Sequence, residues 1–177
     1  EKDKIEVPGC TANERDAILN LLYKKLPTRE KLYLPNWRKL ALNSFFLLVL
    51  PLLISLILVF NIKIITWKEW ILYACVFSLF SGLLLWFSFK NYKLFVSNDF
   101  IIKQNGAWDI ENNIVEPYKI QAITTQQFFW QKGTNIGSVT LSTAGGTISF
   151  STGNYTEIKN LVNLWLFQVE TSEENWM

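Results

Sequence analysis

The chain has 177 residues, half of them hydrophobic, with 17 basic and 15 acidic side chains, two cysteines and no histidine. Without histidine, acid–base chemistry would fall to carboxylates, Lys or Tyr, and no metal-ligand spacing is present. The C-terminal half, residues 91–177, carries 5 basic against 8 acidic residues, which argues against nucleic acid, whose phosphates need Lys and Arg.

In chain order, Thr11-Ala12-Asn13-Glu14 has the capping-box pattern. Ala17, Ile18, Leu21 and Leu22 then follow helical spacing, and Pro27 and Pro35 end the segment. A similar cap, Asn154-Tyr155-Thr156-Glu157, precedes Ile158, Leu161, Val162 and Trp165 near the C-terminus. Caps and apolar faces align at a shift of 143 residues, which reads as an internal repeat. Residues 1–36 are accordingly expected to be the last helix of an earlier domain plus a linker, in a chain that is part of a longer protein. The alternative is an amphipathic helix lying on a bilayer, although Glu14, Arg15 and Asp16 on its polar face lack the basic character such helices favour.

Residues 37–90 contain two uncharged apolar runs, 40–60 and 70–89. Each matches the ~20 residues a helix needs to cross a hydrocarbon core, and two such helices make a transmembrane hairpin. Arg38, Lys39, Lys90 and Lys93 flank it, with Lys24, Lys25, Arg29 and Lys31 upstream, whereas the loop carries Lys63 and Lys68 offset by Glu69. The positive-inside rule then puts both termini in the cytoplasm. Trp37, Trp67 and Trp70 suit the membrane interface together with Arg38, Lys39 and Lys90, and Pro51 predicts a kink. No charge lies within the spans, so the hairpin shows no transport path. Ser78 and Gly82, four apart, form a small-residue face for helix packing. Cys75 lies inside the second span and Cys10 before a soluble helix, so no disulfide is expected between them.

From residue 91 the periodicity becomes alternating. Tyr92–Val96 and Phe100–Lys103 read as strands around a Ser97-Asn98-Asp99 turn. Asn105-Gly106 reads as a turn or as a bulge within a long strand, Glu111-Asn112-Asn113 as a turn, and Ile120–Gln127 as an extended run. Val139, Leu141 and Thr143 alternate with polar residues up to Ala144-Gly145-Gly146, after which Ile148 and Phe150 alternate again. That is a hairpin with one buried face. About seven strands closed by one amphipathic helix predict a helix-capped β-barrel, which hides its sheet edges. Ala144-Gly145-Gly146 lacks the Lys and the helix of a phosphate loop and reads as a turn.

The stretches Gln104-Asn105-Gly106, Pro117-Tyr118-Lys119-Ile120-Gln121, Gln126-Gln127 and Gly137 through Gly146, with Val169-Glu170 and Trp176-Met177 at the end, carry a resemblance. In this order, after a two-span hairpin, they resemble bacterial pleckstrin-homology-like (PH-like) membrane proteins of the YdbT type. The resemblance implies an α+β membrane protein: a transmembrane hairpin (37–90) followed by a PH-like seven-stranded barrel with a C-terminal helix (91–177). It also implies several such domains per chain. One departure is Phe128-Phe129-Trp130-Gln131-Lys132, where the family often carries Arg. These aromatics and Lys132 have two readings: alternate members filling the barrel core, or an exposed loop meeting the membrane interface or a partner. Ser97-Asn98-Asp99 holds no base, so phosphoinositide binding is not expected.

Asp109 and Glu111 sit in a turn, and no catalytic, metal or cofactor constellation emerges. The expected function is a non-catalytic scaffold or binding protein of the bacterial inner membrane. It would present cytoplasmic PH-like domains to other proteins or to further copies of itself, with lipid as the hairpin's surroundings. A lipid- or membrane-peptide-sensing module is the alternative. An accessory role in a transporter or export complex would need polar membrane residues from elsewhere.

Overall fold

The computed structural model describes residues 11–23, 26–62 and 66–171. Cys10, Lys24, Lys25, Lys63 and the closing Trp176-Met177, each invoked above, lie outside them. Helix α1 (Ala12–Leu22) opens on the expected capping box: the Glu14 amide donates to Thr11 Oγ1 (3.4 Å), and the Thr11 amide donates to the Glu14 carboxylate (2.8 Å). Its Leu21 is exposed, and Tyr23 beyond its end packs edge-on against Phe100.

The next element was not anticipated. Lys31–Tyr33 form β1, which pairs antiparallel with β2 (Lys93–Val96) on the far side of the apolar hairpin, Tyr33 opposite Leu94. The expected boundary at residue 36 therefore cuts through a sheet. Arg29 adds to this stitching. Its guanidinium stands over the Phe95 ring and donates to Gln104 Oε1 (3.4 Å) and Asn112 Oδ1 (3.2 Å).

Between β1 and β2 stand two helices long and apolar enough to cross a membrane, Arg38–Asn61 and Trp67–Asn91. None of the first helix's most apolar window is buried, and only 11% of the second's. A core helix of a soluble domain would be covered; these turn their apolar side chains outward. The first is α2 (Arg38–Ser44), a π-helical turn (Phe45–Val49) and α3 (Leu50–Ile62). Pro51 accounts for the irregularity: it has no amide to donate and its ring crowds the preceding turn, and the ladder widens just before it, with Leu50 N–H bonding Phe45 O. The second helix, α4 (Trp67–Asn91), opens on a capping box of Thr66 and Glu69. Trp70 Nε1 donates to Ser55 Oγ (3.2 Å), tying the two helices where they otherwise part around a lateral cavity of about 420 Å³.

The β domain is two antiparallel sheets rather than a closed barrel. One runs β1-β2-β3-β4, with β3 Ile101–Asn105 and β4 Glu111–Val115; the other runs β5-β6-β7, at Ile120–Gln126, Ile136–Thr143 and Gly146–Asn154. Seven strands are present among the described residues, but only six of them follow the hairpin. Glu111-Asn112-Asn113, expected as a turn, pairs along β3 as an edge strand, where its polar side chains meet solvent. Pro117, which lacks a ladder donor, opens the 3-10 turn Pro117–Lys119 where the chain passes from one sheet to the other.

Helix α6 (Tyr155–Thr171) covers the core with the face read from the sequence. Ile158, Leu161 and Trp165 are buried against Leu94, Val96, Ile101, Val139, Leu141 and Phe150. The alternation of β6 and β7 holds as expected, Val139, Leu141, Ile148 and Phe150 pointing inward. Asn154 Oδ1 accepts from the Thr156 (3.1 Å) and Glu157 (3.4 Å) amides, and also from the Asn135 side chain (3.0 Å). Asn154→Ala is expected to cost about 1 kcal/mol in a thermal melt of the full chain, as loss of an N-cap does.

Candidate functional site: the rim beside the hairpin

The strand registers bring one end of the β domain against the hairpin. β2 starts immediately after α4, and Lys93 faces Gln104, so the β3–β4 turn lies at the end of α4. Gly106 O accepts from Asn91 Nδ2 (3.1 Å) and fixes it there. On the other sheet, Asn36 N–H donates to Thr152 O (2.7 Å), which holds the end of β7 beside the start of α2. Ile136 faces Asn154, so the loop joining β5 to β6 opens at this same end.

At the centre of the rim stands Tyr92. Its hydroxyl donates to Ser149 O (3.3 Å) and accepts from the Ser151 amide (2.9 Å). Lys39 Nζ lies over the ring and donates to Ser151 Oγ (3.2 Å), while Lys103 Nζ stands 5.6 Å from the same ring. Burial pushes the Lys103 ammonium below its ordinary range, and Glu111 opposes that shift. An unfolded chain binds more protons than the folded one between this lowered value and the ordinary 10.5, so Lys103 makes stability rise with pH across that window. Lys103→Met is expected to flatten the rise, as measured by denaturant titrations at neutral and alkaline pH.

The aromatic run occupies the β5–β6 loop. Phe129 opens the one-turn helix α5 (Phe129–Lys132), with its side chain 78% exposed and Trp130 58% exposed. Phe128, half-exposed, stacks on Trp130, ring centroids 4.7 Å apart. All three are exposed and none belongs to the core, so the core-filling reading fails. Lys132 is exposed beside them. Trp130 and Gln131 face Arg38, Ala41 and Leu42 of the first apolar helix across a cleft of about 190 Å³. Arg38 donates to Thr134 Oγ1 (3.3 Å), tying the loop to that helix.

The remaining anticipated residues divide. Trp37 and Lys90 are exposed at the hairpin's domain end, on the rim with Arg38 and Lys39. Trp67 and Trp70 are at the opposite end, Trp67 edge-on to Phe60 and Trp70 bonded across the hairpin. Ser78 and Gly82 are half-buried on α4, yet a Cβ added to Gly82 would meet nothing within 4 Å, so the hairpin itself does not use that space. Cys75 is a free thiol on the outer surface, and no metal-ligating cluster occurs among the described residues.

Sequence reasoning missed the Tyr92–lysine cluster and, above all, Trp108. This tryptophan is 86% exposed in the β3–β4 turn with Ile110 beside it. Its signal was present: a turn opened by Gly106 calls for small polar residues, and a tryptophan there departs from that chemistry.

The family model described as Bacterial PH domain matches residues 42–164, well over half of the chain, from the first apolar helix into α6. No curated protein matches it.

Proposed function

We propose, because the chain belongs to the bacterial PH domain family, that it is a non-catalytic binding module mounted in the bacterial inner membrane. The hairpin crosses the bilayer, and the β domain with both termini lies on the cytoplasmic side. One observation carries this reading: the two apolar helices are inserted between adjacent strands and keep their apolar surfaces outward. Water does not sustain so much exposed apolar helix surface, and a bilayer does. The basic residues at the domain end of the hairpin support the orientation.

The module offers two surfaces to other proteins or to a second copy. Strand β5 is an open edge, mostly exposed along its length, which suits addition of a partner strand. Helix α6 turns Leu164, Leu166 and Phe167 away from the core. A YdbT-like arrangement, with further PH-like domains in the full protein, fits this scaffold role and gives α1 a neighbour for its exposed Leu21. Phosphoinositide recognition is not part of the reading.

The test is in two steps. A cysteine placed at Asn61 should react only with reagent added from the non-cytoplasmic side; reaction from the cytoplasm overturns the topology. Cross-linking of the full chain in native membranes should then give a discrete adduct that Phe167→Asp or a proline at Thr124 abolishes. Absence of any adduct in repeated preparations overturns the scaffold role. The lipid- or membrane-peptide-sensing alternative is favoured by one specific feature, the exposed aromatic loop at the rim.

A further inference from the structure

We infer that the β domain has a second attachment to the bilayer: the β3–β4 turn with Trp108 and Ile110, and the β5–β6 loop with Phe129 and Trp130, both enter the leaflet interface that the hairpin leaves. The inference rests on the membrane reading of the hairpin and adds a surface to it. The two clusters belong to different sheets and stand beside different helix ends. Trp108 is held by the bond between Asn91 and Gly106 at the end of α4. Trp130 is held by Arg38 and Thr134 and lies across the cleft from Ala41 and Leu42, in the first turns of the apolar helix. If Arg38 and Asn91 mark the cytoplasmic boundary of the hydrocarbon, both clusters are at that boundary.

The chemistry selects lipid as the occupant. Trp and Phe at this depth place apolar rings in the acyl boundary while the indole N–H reaches the headgroups, which is why aromatic residues gather in interfacial belts. Left in water, four large side chains of this kind on a single rim would be an association hazard. The charges around them set the depth. Arg38 and Lys132 beside the β5–β6 loop, and Lys90 and Lys93 beside the β3–β4 turn, suit phosphate groups. Asp109 and Glu111 keep the Trp108 turn at headgroup level, because a carboxylate is costly to carry deeper. The domain is thus clamped at two rim points flanking its hairpin, and the bilayer fixes its tilt.

The test uses the full chain in vesicles of phosphatidylethanolamine and phosphatidylglycerol, with Cys10→Ser and Cys75→Ala as background. Single cysteines at Trp108, Phe129, Asn98 and Val76 carry an environment-sensitive fluorophore, read against nitroxide lipids and aqueous iodide. Asn98 is in the turn at the opposite end of β2, and Val76 is mid-hairpin. Positions 108 and 129 should show blue-shifted emission, strong quenching by shallow nitroxide lipids and several-fold weaker quenching by iodide than position 98. Iodide quenching at 108 and 129 equal to that at 98, with 76 still quenched only by lipid, overturns the second attachment and leaves the hairpin reading standing. Shielding of 108 and 129 from both quenchers indicates a protein partner and overturns it equally. A water-exposed position 76 overturns both readings.

Discussion

Trp165→Ala is expected to lower the stability of the β domain by about 3–5 kcal/mol, the largest loss from any single core truncation in this protein. Trp165 is fully buried and is the largest such side chain, standing where α6 crosses the two sheets. Its removal leaves a void in the core cluster that also holds Leu94, Ile101, Val139 and Leu141, which close-packed strands cannot collapse to fill. The indole N–H finds no hydrogen-bond partner among the described residues. Trp165→Phe therefore keeps most of the apolar filling and removes an unpaired buried donor, whose desolvation offsets part of the lost volume. The pair should separate clearly in a thermal melt of the full chain in mild detergent. The alanine variant falls by more than about 10 °C and the phenylalanine variant by a few degrees. Equal losses would mean that the indole N–H is satisfied in solution.

Gly106→Ala is expected to cost about 3 kcal/mol, and Gly106→Val more. The residue has φ near +122°, a region essentially closed to side chains, and an added Cβ would overlap the Asp109 carbonyl. No flexible side chain is there to move aside; the clash is with backbone. The turn has to open, and with it goes the bond from Asn91 that fixes the rim to the end of α4. Hydrogen exchange should show faster opening along β3 and β4 while β6 and β7 stay protected. A variant that melts like the parent would show that the turn can adopt another conformation at little cost.

The parts of this fold legible in the sequence are those where one face is buried and the other is wet. The α6 face of Ile158, Leu161 and Trp165, and the inward set of β6 and β7, are strict periodic patterns. The apolar hairpin was legible from length alone. What escaped depended on distant chain. Lys31-Leu32-Tyr33 is too short between Pro27 and Pro35 to show a period, and its partner strand lies beyond the hairpin. Asn112 and Asn113 read as turn formers because nothing local shows that they line an edge. Pro51 marked the place of the irregularity in the first helix, but not its form, the widened Leu50-to-Phe45 bond. Exposure of Phe128-Phe129-Trp130 was undecidable for the same reason: three apolar residues in a row carry no period, and only the closing of β5 on β6 sets which way the loop faces. At the rim, the flanking bases and Trp37 were visible, but Trp108 joins them only through the β2–β3 register.

The insertion of both helices between β1 and β2 also sets an order of assembly. During synthesis β1 emerges first, and its ladder stays bare until about sixty further residues have been made, because Tyr33 pairs with Leu94. On the membrane reading, both helices must already be placed by then. If only one of them crossed, β1 and β2 would emerge on opposite faces of the bilayer and could never meet. The sheet would keep an unpaired edge at β2, an invitation to aggregation and proteolysis. On that same reading, completion of this small ladder checks the insertion: the domain folds fully only when its own hairpin has been threaded the right way.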